Sequence, residues 1–312
     1  MHEFCMISVN VYRFEEALRM HEPGVALPYW DSTLDDAMDN PVSSLLWTSK
    51  YMGNGDGDVV SGPAAGWVSA VGRLQRQFGR FSRLMKKPDI DQIMTKCLLK
   101  EIESPTANGT NNLEWRHGGP HVWVGGDMSG LDTAAYDPVF FMHHAFIDYI
   151  WEKFRRRQMT VCGKDPSTDY PTVSTYSDAH RPYDAMVGFK SWTNLDGIRS
   201  SWTDNWYSYA DSPTCSDCCP GCGYPPPIVC DYVRNMCVAA SRFNASHIIA
   251  RGSDGLAQFE TGAFSAELGL PLEKTAVLTR NRGRLFAAPP SDGRTVFTAA
   301  TDILTARSGG TF

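Results

Sequence analysis

Mainly α-helical is the fold class that this sequence predicts, with a disulfide-rich loop segment and an irregular C-terminal tail. Three observations carry the prediction. Helix candidates at 8–20, 67–84, 89–99 and 137–157 fill most of the patterned part of the chain. Six of the nine cysteines fall between Cys215 and Cys237, among prolines and glycines that build no periodic element. Residues 241–312 are rich in Ala, Gly, Ser, Thr and Arg and carry weak periodicity. The expected organisation is a domain over 1–210, a Cys-rich segment over 211–240 and a variable, partly disordered tail over 241–312.

The chain has 312 residues, long enough for a sizeable core. Hydrophobic residues make up 42% and charged residues 21%, which excludes wholesale disorder, collagen and coiled coil. No apolar run approaches the ~18–20 residues of a membrane-spanning helix, so no membrane partner is expected. The net charge is −6 and the longest basic run is Arg155-Arg156-Arg157, so nucleic acid is not expected either.

In the first helix candidate, Val11, Phe14, Ala17 and Leu18 recur at helical spacing on one face. Pro23-Gly24 ends it, and Val25-Ala26-Leu27-Pro28-Tyr29-Trp30-Asp31 follows as an extended apolar segment. Glycines crowd residues 52–66. There Asn54-Gly55-Asp56-Gly57-Asp58 lacks the glycine and the final glutamate of a calcium loop, so it reads as a turn-rich connection. Helices are expected over 67–84 and, after Pro88, over 89–99. The clearest start signal is Asp137-Pro138: aspartate as N-cap, proline at the first helical position. That helix carries Phe140, Phe141, His144, Ile147, Trp151 and Phe154, and ends on basic residues where the helix dipole favours them.

The cysteine cluster reads Cys215-x2-Cys218-Cys219-x2-Cys222-x7-Cys230-x6-Cys237. A loop-rich stretch of this kind buries little apolar surface and needs cross-links to hold a shape. Disulfides and a zinc knuckle both fit. The two Cys-x2-Cys pairs abut directly, whereas zinc motifs usually separate them, and this favours disulfides. Cys5, Cys97 and Cys162 are left over, to pair with each other, with residues outside this chain or with nothing. Two sequons, Asn108-Gly109-Thr110 and Asn244-Ala245-Ser246, agree with an oxidising compartment. Residues 1–6 do not form a signal peptide, so a secreted form is expected to take its leader from sequence before Met1.

Four of the eight histidines fall between His117 and His144. His117-x3-His121 places two imidazoles on one helix face, with Cβ atoms about 5–6 Å apart, close enough to bind one metal. His143 and His144 follow on the Asp137 helix. Adjacent helical residues point about 100° apart, so at most one of them joins that metal. Asp148, one turn beyond His144, is placed to orient a histidine or lock an arginine. Three histidines without carboxylate or thiolate suit Cu, Zn or Fe, and imidazole alone does not choose among them. Gly118-Gly119-Pro120 is poor helix sequence, since glycine costs about 1 kcal/mol and interior proline about 3. Either the helix is short there, or metal and packing hold it.

These residues together resemble the second copper site (CuB) of the tyrosinase family. The resemblance rests on His117-x3-His121-Val122-Trp123-Val124-Gly125-Gly126-x-Met128, followed by Asp137-Pro138-Val139-Phe140-Phe141-Met142-His143-His144-x3-Asp148-x2-Trp151. Leu27-Pro28-Tyr29-Trp30-Asp31 and Phe14-Glu15-x2-Leu18 match further family segments, and the cysteine cluster is similar to that of secreted molluscan tyrosinase-like proteins. The resemblance covers roughly residues 9–240. It implies a helical bundle built around a type 3 copper centre. It also implies that His117, His121 and His144 are the CuB ligands and that His143 is the flanking non-ligand.

A type 3 centre holds two coppers, each on three histidines. The family places its third CuA histidine seven residues before the Phe14 position, and here that position is Ile7, followed by Ser8. The CuA ligands are therefore expected to be missing from this chain, leaving the bundle incomplete at its N-terminus; two coppers are expected only in a full-length form. Gly118 stands where some tyrosinases have an asparagine that assists deprotonation of monophenols. The activity implied is oxidation of phenols and o-diphenols to o-quinones by O2, for pigment or matrix cross-linking. The implied partners are O2, a small phenol and an extracellular matrix, and the implied location is extracellular. A non-catalytic copper-binding or matrix protein with only a CuB-like site is the alternative, and an oxygen carrier of haemocyanin type ranks behind both.

Overall fold

The computed structural model describes residues 2–171, 181–212, 228–231, 236–239 and 295–297. Among them the α-helices are α1 (His2–His21), α2 (Ser32–Asp36), α3 (Lys87–Ile93), α4 (Leu113–Val124) and α5 (Val139–Thr160). The strands are short: β1 (Asp56–Asp58), β2 (Val68–Ser69), β3 (Gly72–Arg73), β4 (Gln75–Gln77), β5 (Ala185–Met186), β6 (Phe189–Thr193), β7 (Tyr207–Tyr209), β8 (Ile228–Asp231), β9 (Met236–Ala239) and β10 (Thr295–Phe297). They pair two by two: β1–β4, β2–β3, β5–β6 and β8–β9 antiparallel, β7–β10 parallel. The mainly α expectation stands, because α-helices supply most of the main core, with Met186 of β5 and Tyr207 of β7 packed into it.

The main core forms where α1 meets α5. Ile7, Val9 and Val11 are buried there with Phe146, Ile150, Trp151 and Phe154, and Phe14 and Leu18 pack against the same cluster. Ala17 is exposed, so the apolar stripe of α1 is narrower than its spacing suggested. The extended segment after α1 is tied down at each end. Leu27 N–H donates to Glu15 Oε2 (2.8 Å), and Trp30 N–H donates to the Met142 carbonyl of α5 (2.9 Å). Trp30, Trp47 and Trp123 then share a second core with Met142.

The helix expected over 67–84 is absent. Those residues form β2, β3 and β4, and β4 pairs with β1 in the glycine-rich stretch read above as a connection. Alternation wins over helical periodicity: Leu74 and Arg76 are buried while Arg73 and Gln75 are exposed. Helix α3 starts before Pro88 and stops at Ile93, short of the expected end. Side chains capture the backbone that would have continued it. Glu101 Oε2 accepts from Cys97 N and Leu98 N, and Asp169 Oδ2 from Leu99 N. Cys97 bonds to Cys162, closing a loop across 65 residues and tying this segment to the end of α5.

In the Cys-rich segment the described residues form the β8–β9 ribbon, with Cys230 opposite Cys237 in register. The remaining cysteines of that cluster lie outside the described residues, as does the tail apart from β10.

Candidate metal centre

Helix α4 presents the first two histidines. Asn112 caps it, its Oδ1 accepting from Trp115 N (3.0 Å). The helix runs unbroken through Gly118-Gly119-Pro120 despite their poor propensity. Packing holds it: Pro120, Trp123 and Val124 are buried, and Gly79 N–H donates to the Trp123 carbonyl (2.8 Å). A Cβ on Gly119 would stand 2.8 Å from the Arg83 carbonyl, so glycine lets the neighbouring chain pass close.

Helix α5 presents the other two. Its first helical residue is Val139, one later than expected, with Pro138 at the cap position. Asp137 still serves the start, since its Oδ1 accepts from Val139 N (3.0 Å). The same carboxylate pairs with Arg76 of β4, through Nε–Oδ2 at 2.6 Å and Nη2–Oδ1 at 2.8 Å, with both side chains fully buried. Arg76 also donates from Nη1 to the Met52 carbonyl (2.7 Å). Sequence reading missed Arg76; the alternation Leu74, Arg76, Phe78 was the available signal.

All four imidazoles converge. Ring centroids of His117, His121, His143 and His144 lie between 4.8 and 5.6 Å of one another. Potential ligand atoms of His117, His121 and His143 fall within 4.8 Å of one another, and His144 Nε2 stands 2.9 Å from His121 Nε2. Hydrogen bonds sort these rings. His117 Nδ1 faces the Glu114 carbonyl (2.9 Å) and His121 Nδ1 the Met128 carbonyl (3.0 Å). A carbonyl only accepts, so each Nδ1 carries the proton and each Nε2 is the unprotonated nitrogen, the form a metal needs. His143 has the opposite tautomer: its Nε2–H donates to the His117 carbonyl (3.0 Å), which removes that nitrogen as a ligand. His143 Nδ1 and His144 Nδ1 are both buried without a hydrogen-bond partner among the described residues.

Charge state agrees with this donor set. Burial, then the neighbouring His121 and His117, pushes His143 and His144 well below the ordinary histidine value, so both rings are neutral at pH 7. Two nitrogens at about 2.0–2.1 Å from one ion stand about 2.9–3.4 Å apart. The 2.9 Å between His121 and His144 is within that range. The residues present therefore fit a metal ion held by imidazoles. Phe140 stacks on His144 at 4.0 Å between centroids, and Phe141 stacks on Phe14 of α1. His117, Gly118 and His121 are half-buried, so the site opens on the α4 side.

Residues 9–157 match the common central domain of tyrosinase. A tyrosinase from Streptomyces antibioticus is 32% identical over 197 residues, covering 54% of this chain and 68% of that protein. The chain belongs to the tyrosinase family. A tyrosinase-like protein of Pinctada maxima is 34% identical over 266 residues, and one of Caenorhabditis elegans is 34% identical over 227. The chain spans 56% and 32% of the length of those two relatives. Within this family frame, Ile7 is buried in the main core, and Ser8 donates its hydroxyl to Asp148. Asp148 also accepts from Tyr207 (2.7 Å) and Tyr209 (2.5 Å). The expected partner, a histidine or an arginine, does not bond it among the described residues; three hydroxyls from α1 and β7 do. Family membership implies copper as the metal of the site.

Proposed function

We propose that His117, His121 and His144 hold the CuB-type copper of a phenol-oxidising centre, completed by a second copper in the full-length protein. The reaction is oxidation of phenols or o-diphenols to o-quinones, which go on to pigment or to cross-linked extracellular matrix. Each diphenol gives up two electrons and two protons, so two diphenols are oxidised for each O2 reduced to water. Copper supplies the electron transfer, which no side chain at the site can. The observation that supports the reading best is the tautomer set, in which His117 and His121 each carry the proton on Nδ1 and an unprotonated Nε2 on the side of His144. The protein's part is to hold those nitrogens in place, to keep His143 protonated on Nε2 against the α4 backbone, and to brace the His144 ring with the face of Phe140. The Cys97–Cys162 bond supports secretion, since such bonds persist in oxidising compartments.

A second reading is a non-catalytic protein with one copper. Ile7 favours it, because a buried aliphatic side chain stands at the register of a CuA histidine. Copper analysis combined with O2 uptake on catechol separates the two. Two coppers per full-length chain with uptake support the enzyme. One copper and no uptake select the second reading.

A further inference from the structure

One surface loop holds a modifiable side chain in a fixed pose. Residues 104–112 lead into α4 and contain three asparagines. Asn111 and Asn112 are buried and tied: Asn111 Oδ1 accepts from Gln92 Nε2 (3.2 Å), and Asn112 Nδ2 donates to Ser104 Oγ (2.8 Å). Asn108 differs. It is exposed, and its Oδ1 accepts from Thr110 N (3.2 Å), Thr110 Oγ1 (2.7 Å) and Asn111 N (3.1 Å). The carboxamide oxygen is thus spent on its own turn, while no described residue accepts from Nδ2. A Cβ on Gly109 would meet nothing within 4 Å, so the tip of the turn stands clear of the protein.

We propose that Asn108 is an N-glycosylation site, with Asn108-Gly109-Thr110 as its acceptor sequence. The donor is an oligosaccharide carried on a polyprenyl diphosphate. Asn108 Nδ2 forms a bond to the anomeric carbon of the first sugar and loses one proton. The bond from that carbon to the diphosphate oxygen breaks, and the lipid diphosphate leaves with the electron pair. The folded turn accommodates the product, because the side-chain hydrogen bonds that shape the loop at Asn108 use Oδ1 and not Nδ2. In nature the transfer rests on the secretory reading above, which the Cys97–Cys162 bond supports from a separate part of the chain.

The test is to express the full chain behind a leader in a eukaryotic secretory host and trim it with an endoglycosidase that leaves one sugar. The tryptic peptide 101–116 then carries that sugar on Asn108. Spontaneous deamidation at Asn108-Gly109 adds no sugar and is not mistaken for it. Asn108→Gln and Thr110→Ala give bare peptide, and Thr110→Ser keeps the sugar. Bare wild-type peptide from chains with the Cys97–Cys162 bond formed overturns the proposal and leaves the secretory reading standing. Reduced Cys97 and Cys162 in secreted protein count against the secretory reading, and the peptide mass still decides the glycan: present supports it, absent overturns it.

Discussion

Two buried aspartates near the two halves of α5 are held in opposite ways. Asp137, at the entry, is paired with Arg76 through two short contacts. Asp148, past the histidines, is as deeply buried but held by the hydroxyls of Ser8, Tyr207 and Tyr209. Arginine brings a full opposing charge. Hydroxyls return only part of the lost hydration, and burial pushes the Asp148 carboxyl above its ordinary value in spite of them. His143 and His144 sit between the two. The difference teaches that the ligand-bearing turn is positioned by a rigid ionic anchor on one side and a softer polar cage on the other.

The anchor is the place to break first. Arg76→Met leaves the Asp137 carboxylate buried and unpaired, which is expected to cost about 3–5 kcal/mol of folding stability. Adding Asp137→Asn removes the stranded charge while keeping an acceptor for Val139 N, so the double variant should recover part of the loss. Denaturant midpoints measure both. A double variant no more stable than Arg76→Met would show that the pair does not govern this end of the helix.

The ligand turn comes next. His144→Ala should weaken copper binding by more than about 100-fold, beyond what loss of a supporting contact costs. His143→Ala should keep the copper and shift its affinity less, since His143 spends Nε2 on the His117 carbonyl. Isothermal titration with Cu(II) compares them, and the reverse ranking would reassign the third ligand.

The histidines were legible in the sequence because their chemistry is local. His117 and His121 follow helical spacing, Asp137-Pro138 announces α5, and Asp148 lies four positions after His144. What held them was not legible. Arg76 lies 61 residues before Asp137, and Ser8 lies 140 before Asp148, so no window of sequence brings them together. The stretch 67–84 misled for a related reason. The sequence predicts a helix there, while β4 instead pairs with β1 and packs against α4 and the turn that follows it. Gly126 marks that fit: at φ +54 it sits so close to β4 that a Cβ would lie 2.1 Å from the Gln75 carbonyl. Gly126→Ala should therefore cost about 1–3 kcal/mol, through left-handed backbone strain and displacement of β4. An unchanged melting temperature would mean that β4 gives way freely.

The soft end of α5 answers to pH. Glu152, one turn beyond Asp148, bridges Arg155 at 3.2 Å and accepts from Thr203 Oγ1 at 3.0 Å. Burial outweighs these contacts and pushes its carboxyl up to about 7, from an ordinary value of 4.5. The folded state then holds a proton that the unfolded chain has released between those two values. Stability contributed by Glu152 is accordingly highest below about 4.5, falls as pH rises toward 7, and stays lowered above it. Glu152→Gln keeps the shape and removes the titration. The wild type should lose on the order of 1 kcal/mol more than the variant between pH 5 and pH 8. Denaturation at the two pH values measures it. Equal losses in both proteins would mean that Arg155 compensates Glu152 fully, and that α5 is ionically braced at both ends rather than at one.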